Sequence, residues 1–484
     1  MKTWKKALGL VLALACLTIL SGGGLAESVT CDGVTLTGDP LKENVDYTFD
    51  ESTHLLTIKT AGKYTLSGTA SSNDFRVKVG DRLVTTLTID NLTINTYRDE
   101  KENEAKQGYS PLDFSDAGAT TLTLVGKNQL TARKDNPAVY APNVQNDSDL
   151  AIQLTIGGEG SLVATGGYAW PGIGNTGSAK IRIEGGNITA KGGDAAAGIG
   201  GSWGFWFDSI VITGGRVVAT GGAWANNDIG CGYAPSKKPN HGTNREHVIL
   251  IDGGVVEAER IYEDTNENTL KKTGGILVQN GAYTVLGDTT LTTNLTIPKG
   301  KTLTVPNGKT ITIEKNGKLE IEKGATLKIE EGAKLVIKDG ATLEIKDGAQ
   351  LYVDGTVKGD ITGKNYYKLN YDLDGGEWAV GYTPEAYYLS GTGLDLPTKE
   401  NLNKAGYTLS GWTEKGKKDV VWKIPATATG IKSVVAQWEK VVPTATPVPD
   451  ASGLPKTGDA SAPMAWCALG LACLAGLAAM KRRK

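Results

Sequence analysis

The chain has 484 residues, too many for one core of ordinary size, and 64 of them are glycine, about twice average usage. Those glycines follow no G-x-y triplet, which excludes collagen, and the near-neutral balance of 51 basic and 53 acidic residues excludes a basic nucleic-acid binder. Scarce Phe and Met beside alternating Thr, Val and Ile runs point to an all-β chain with many tight turns.

Residues 1–26 read as a secretory signal peptide. Lys2, Lys5 and Lys6 precede an apolar run from Ala7 to Leu20, and Gly24-Leu25-Ala26 supplies small side chains for cleavage.

From residue 55 to about 280, short β-branched strands return every ~25–40 residues. They are Leu56-Thr57-Ile58, Leu87-Thr88-Ile89, Leu122-Thr123-Leu124, Leu154-Thr155-Ile156, Ile181-Arg182-Ile183, Ile210-Val211-Ile212 and Ile249-Leu250-Ile251. Three repeats share a fuller pattern, in which Gly-Gly precedes a strand, a second Gly-Gly and an Ile-Gly, with a further Gly before the Ile in the first two: Gly157-Gly158 to Gly174, Gly185-Gly186 to Gly200, and Gly214-Gly215 to Ile229-Gly230. Such a unit cannot bury its apolar side alone, so successive units must stack with like strands pairing in parallel, and Gly pairs serve the sharp corners. The expectation for residues 27–281 is a parallel β-helix. The order Gly62–Thr69, Leu87–Ile94, Thr121–Leu124 and Gly126-Lys127-Asn128 resembles the bacterial carbohydrate-binding right-handed β-helices of the pectate-lyase-like superfold. That resemblance implies a surface that binds polysaccharides, including acidic ones with calcium, without cleaving them.

Residues 282–364 hold a stricter repeat. Leu295, Leu303, Ile311, Leu319, Leu327, Leu335, Leu343 and Leu351 are eight apart, each with an apolar partner two residues on, and polar turns lie between. A spacing of two puts both apolar side chains on one face of a strand, and three octads make a 24-residue unit. The expectation is a β-solenoid spacer.

Residues 365–440 change character. Leu369–Gly376, Gly406–Trp412 and Ala436-Gln437-Trp438 resemble the InlB B-type (Listeria–Bacteroides) repeat, which implies a small β-grasp-like module. Trp412 and Trp438 read as core rather than binding residues, because a module this small needs large buried side chains. A Pro-rich linker, 441–453, follows.

At the end, Leu454-Pro455-Lys456-Thr457-Gly458, the apolar run 464–480 and four terminal cations stand in the order of a Gram-positive LPxTG sorting signal. Seventeen apolar residues just reach across a bilayer, and the cations hold the tail inside. The resemblance implies sortase cleavage after Thr457, a transient membrane segment and covalent attachment to peptidoglycan. With both ends removed, 44 basic and 52 acidic residues remain, a charge of about −8. That charge suits neutral glycans, cations or basic partners.

The chain contains no P-loop, GxSxG or HExxH string, and His54, His241 and His247 stand in no metal spacing. The reading is therefore a non-catalytic, cell-wall-anchored surface protein whose partner is an extracellular polysaccharide. The alternatives are a polysaccharide lyase or hydrolase on the same scaffold, a protein-binding adhesin, or a structural stalk. Candidate contact residues are the loop aromatics Tyr168, Trp170, Trp203, Trp206 and Trp224, with Phe205, Phe207 and Tyr233 beside them. Stacked loops place them either in an exposed strip or in packing between loops. Asp194, Asp208 and Asp228 near the same loops are either calcium ligands or solvated turn acids. Cys31 and Cys231 fall roughly 25 Å apart at ~4.8 Å per unit, beyond disulfide reach, so two unbridged thiols are expected.

Overall fold

The computed structural model describes residues 27–96, 109–132, 135–143, 153–233, 247–264 and 269–442. The expected signal peptide, the linker from residue 443, the sorting signal Leu454–Gly458 and the apolar run 464–480 lie outside them.

The described chain is all-β, and no helix occurs among the described residues. In strand after strand the inward Leu, Ile or Val is buried while the Thr, Lys or Glu between them faces out, because a pleated strand sends successive side chains to opposite faces. Each strand thus has one apolar side to cover, which it buries against the other rows across a shared core, while pairing with its counterpart in the next repeat satisfies its backbone.

Three rows of parallel strands build the Gly-rich part. One runs through Thr120–Val125, Leu154–Gly158, Lys180–Ile183, Ser209–Ile212 and Val248–Glu257. A second runs through Lys127–Thr131, Ser161–Thr165, Asn187–Lys191 and Arg216–Thr220, and returns to Val248–Glu257. The third runs from Leu55–Ile58 through Arg76–Val79, Leu112–Asp113, Val139–Tyr140, Ile173–Asn175 and Ile199–Gly201 to Ile229–Gly230. The stack opens differently: Glu27–Cys31, Val34–Gly38 and Gly62–Thr69 pair antiparallel, as do Tyr47–Asp50 and Leu55–Ile58.

Two details depart from the sequence reading. Leu56-Thr57-Ile58 belongs to the third row, whereas the other six strands of its series belong to the first. Leu122 pairs with Ile156 rather than Leu154, a slip of two residues. Such a slip keeps every side chain on its own face, so the apolar pattern carries no signal against it.

At the corners, the second glycine of the first pair in each repeat takes positive φ, +102° at Gly158, +84° at Gly186 and +74° at Gly215, which any side chain would strain. Asn128 is buried at another corner. Its Oδ1 accepts from Leu92 N at 2.9 Å, and its Nδ2 donates to the Val125 and Ser161 carbonyls, so a polar side chain inside the stack leaves no atom unsatisfied.

The octads form three parallel rows, two of them separate sheets and the third a continuation of the large sheet through Ala282–Val285. Each strand pairs with the one 24 residues on: Leu295 with Leu319, Leu303 with Leu327, Ile311 with Leu335. Leu303, Leu327 and Leu351 are fully buried in one such column. On a neighbouring outer face Lys318 bridges Glu320 at 2.9 Å and Glu344 at 2.5 Å, while Lys346 pairs with the same two acids. The Gly-rich and octad cores meet inside shared strands: Val256 and Leu277 pack with the first, Val255 and Ile276 with the second.

The last module has its own core around Leu369, Tyr388, Leu409, Trp412, Val434 and Ala436. Its strand Tyr366–Asp372 continues the sheet from Gln350–Val353 and pairs in parallel with Lys432–Lys440. Trp412 is fully buried, its indole N–H donating to the Pro397 carbonyl at 2.8 Å, while Trp438 packs half-buried against the core.

Candidate functional site

The loops that join the second row to the third stack on one another. Gly193 makes this possible, since a Cβ there would lie 1.8 Å from the Gly167 carbonyl oxygen, and one at Gly222 would lie 2.0 Å from that of Gly193. Backbone hydrogen bonds tie the layers: Gly193 N to Trp170 O at 3.0 Å, Trp224 N to Asp194 O at 2.7 Å, and Tyr233 N to Ala195 O at 2.7 Å. The following loop joins the same group, with Trp203 N donating to Ala169 O and Gly204 N to Tyr233 O.

This cluster of loops carries Tyr168, Trp203, Phe205, Trp224 and Tyr233, all exposed, with Trp203 at 58% and Trp224 at 60% of full accessibility. Scattered exposed aromatics are ordinary, but five on loops bonded to one another make a patch. Two of the rings touch: Tyr168 and Trp224 meet edge to face at 6.3 Å.

The other predicted rings do different work. Trp206 is 6% exposed, stacked on His247 at 5.1 Å and edge-on to Tyr262 at 5.2 Å. It is a packing residue, which corrects its place among the contact candidates: the large ring fills the space between its loop and the next repeat. Phe207 is fully buried against the same His247 and Tyr262. Trp170 is half-buried, its ring set edge-on to Tyr140 at 5.7 Å. Spacing in the sequence marked these loops as aromatic but did not separate Trp203 from Trp206, three residues away.

The aspartates do not assemble. Among the described residues no group of three or more His, Cys, Asp or Glu side chains is placed to hold a metal ion. Asp194 is exposed on its loop and Asp208 is buried. Asp228 is buried and its carboxylate is taken up within the fold. It accepts from Gly221 N at 2.8 Å, Glu259 N at 2.9 Å and Arg260 N at 2.8 Å, and pairs with the Arg260 guanidinium at 2.7 Å. A carboxylate with that many donors is a structural clasp between repeats, which corrects the calcium reading at this position. Arg260 carries no motif that would flag it in the sequence.

Cys31 and Cys231 are both buried thiols, not joined to each other. Cys231 follows the last strand of the third row; its thiol donates to Asn227 Oδ1 at 2.9 Å, and burial pushes its pKa up to about 11.

Compared with known proteins, the chain matches no family model, no curated relative and no solved structure.

Proposed function

We propose that this chain is a secreted Gram-positive surface protein, joined to peptidoglycan by sortase at Thr457, whose Gly-rich part is a right-handed parallel β-helix that binds an extracellular polysaccharide without cleaving it. The octad stack serves as the spacer and the last module as an InlB B-type repeat.

The observation that carries the binding reading is the exposed ring group Tyr168, Trp203, Phe205, Trp224 and Tyr233 on mutually bonded loops. A sugar ring has an apolar C–H face. Covering roughly 40 Å² of it at ~25 cal/mol per Å² contributes about 1 kcal/mol per ring, so several rings together give useful affinity for a repeating chain. Stacked loops at ~4.8 Å spacing suit a linear polymer better than a compact ligand. The right hand is that of the β-helices the chain resembles, and it agrees with the strong preference of parallel strand–crossover–strand connections. Ring faces need no metal, so binding is expected to persist in chelator.

The ectodomain 27–457, run through native gels cast with soluble polysaccharides, tests the binding half. Retardation in at least one, unchanged by EDTA, is expected; free migration in all of them, or release of reducing or unsaturated products, argues for the stalk or the enzyme instead. Cell fractionation tests the other half. The protein is expected in the detergent-resistant wall fraction, and Thr457→Ala is expected to leave it in the membrane or medium.

A further inference from the structure

The last module holds a feature that the binding reading does not use. A cleft of 430 Å³ opens beside the strand Tyr407–Glu414, lined by Lys399, Asn403, Lys404, Tyr407, Leu409 and Trp438, and this volume falls within the ~300–1,000 Å³ of small-ligand sites. Its aromatic wall is held in place. The Trp438 indole N–H donates to the Leu373 carbonyl at 2.9 Å, and the ring lies so close over Gly376 that a Cβ there would come within 2.3 Å of it. Lys404 is fixed as well: its ammonium donates to the Asp374 carbonyl at 2.6 Å, stands 3.6 Å from the Asp374 carboxylate, and lies over the Tyr407 and Trp438 rings at 5.0 and 5.4 Å.

The groups left for a ligand differ from those at the Gly-rich loops. Tyr407 is exposed, offering a ring face, and Asn403 is exposed with an amide that both donates and accepts. Lys399 is exposed and enters no ion pair among the described residues, so its charge is uncompensated at the mouth. An apolar face, an amide and an unspent ammonium together match a sugar ring that bears a carboxylate.

We propose that this cleft is a second glycan site, specific for hexuronate residues, in which Tyr407 covers the ring and Lys399 meets the carboxylate. It stands independently of the neutral ring patch around Trp203 and Trp224.

Calorimetric titration of the ectodomain 27–457 with a hexuronate trisaccharide and with its methyl ester, both in EDTA, tests the site. The acid is expected to bind and the ester to bind at least about tenfold more weakly, the loss of one charge-assisted contact. Lys399→Gln is expected to bring the acid down to the level of the ester. Tyr407→Ala is expected to weaken both, and Trp203→Ala with Trp224→Ala to change neither. Both cleft substitutions are at exposed positions, and a native far-UV spectrum with unchanged melting checks the fold. Equal binding of acid and ester, no binding of either, indifference to Lys399→Gln, or loss on changing Trp203 and Trp224 would each overturn the proposal.

Discussion

Tyr168 and Trp224 stand on loops two repeats apart, yet their rings meet edge to face with centroids 6.3 Å apart and planes at 90°. The loop between them carries Ala195, Ala196 and Ala197. Ala195 N and Asp194 O bond to the backbone of Tyr168 and Trp224, so the middle loop ties the two outer ones together. Two repeats at ~4.8 Å would otherwise hold the rings farther apart. The patch is thus a product of stacking, with the middle loop bonded to both of the loops whose rings meet.

Replacing the exposed rings and the buried ring should therefore have opposite effects. Trp203→Ala with Trp224→Ala is expected to leave melting within about a degree of wild type, since surface changes are usually within ±0.5 kcal/mol. Trp206→Ala removes a ring packed on His247 and Tyr262 and is expected to cost about 3 kcal/mol. Paired denaturant titrations read both.

Asp228→Ala strips a buried acceptor from three backbone amides and the Arg260 guanidinium. The expected loss is about 3 kcal/mol, the scale for breaking a buried pair, with added calcium restoring none of it. Calcium-dependent melting of the wild type would reverse this assignment.

In the octad stack, Leu327→Ala opens a cavity in the column between Leu303 and Leu351 and is expected to cost about 3 kcal/mol. Because each unit touches only its neighbours, protease protection should fall first around residues 303–351 and last near the N-terminal strands.

The Glu344 carboxyl is held below the usual range by hydrogen bonds from Lys318 and then Lys346, and Glu320 by the same two lysines. A depressed folded-state value means that any stabilisation from this ladder is present above the unfolded value and is lost as pH falls through the folded one. Both acids lie at the surface, so the effect on stability is small. Carboxyl-labelled NMR should show both titrating below ordinary glutamates.

Burial raises the Cys231 thiol to about pH 11, so alkylation of the folded protein at pH 8 is expected to be slow at this residue. Denatured, unreduced residues 27–457 should titrate two thiols; a count of zero would mean that Cys31 and Cys231 are bridged.

Much of the architecture was legible because apolar phase survives in strict repeats. Leu295 to Leu351 keep a period of eight, and the pairing of Leu303 with Leu327 follows from three octads closing one unit. The Ile-Gly strings likewise fall into one row, Ile173 with Ile199 with Ile229. The placement of Leu56-Thr57-Ile58 did not follow, because a period of two reports which side is buried but not which of three rows a strand joins. The antiparallel opening at Val34–Gly38 was equally silent, since alternation reads the same in both directions. At the site, sequence marked the aromatic loops but not their exposure. Trp203 and Trp206 differ through His247 and Tyr262, which arrive from the next repeat.

The deciding measurement is a glycan array probed with residues 27–457, wild type beside Trp203→Ala with Trp224→Ala, in EDTA and in calcium. The wild type is expected to retain extended neutral polysaccharides in both buffers, and the double variant, still folded, to lose them. Retention by the double variant equal to wild type, or no retention by the wild type of any glycan, would contradict the proposed binding.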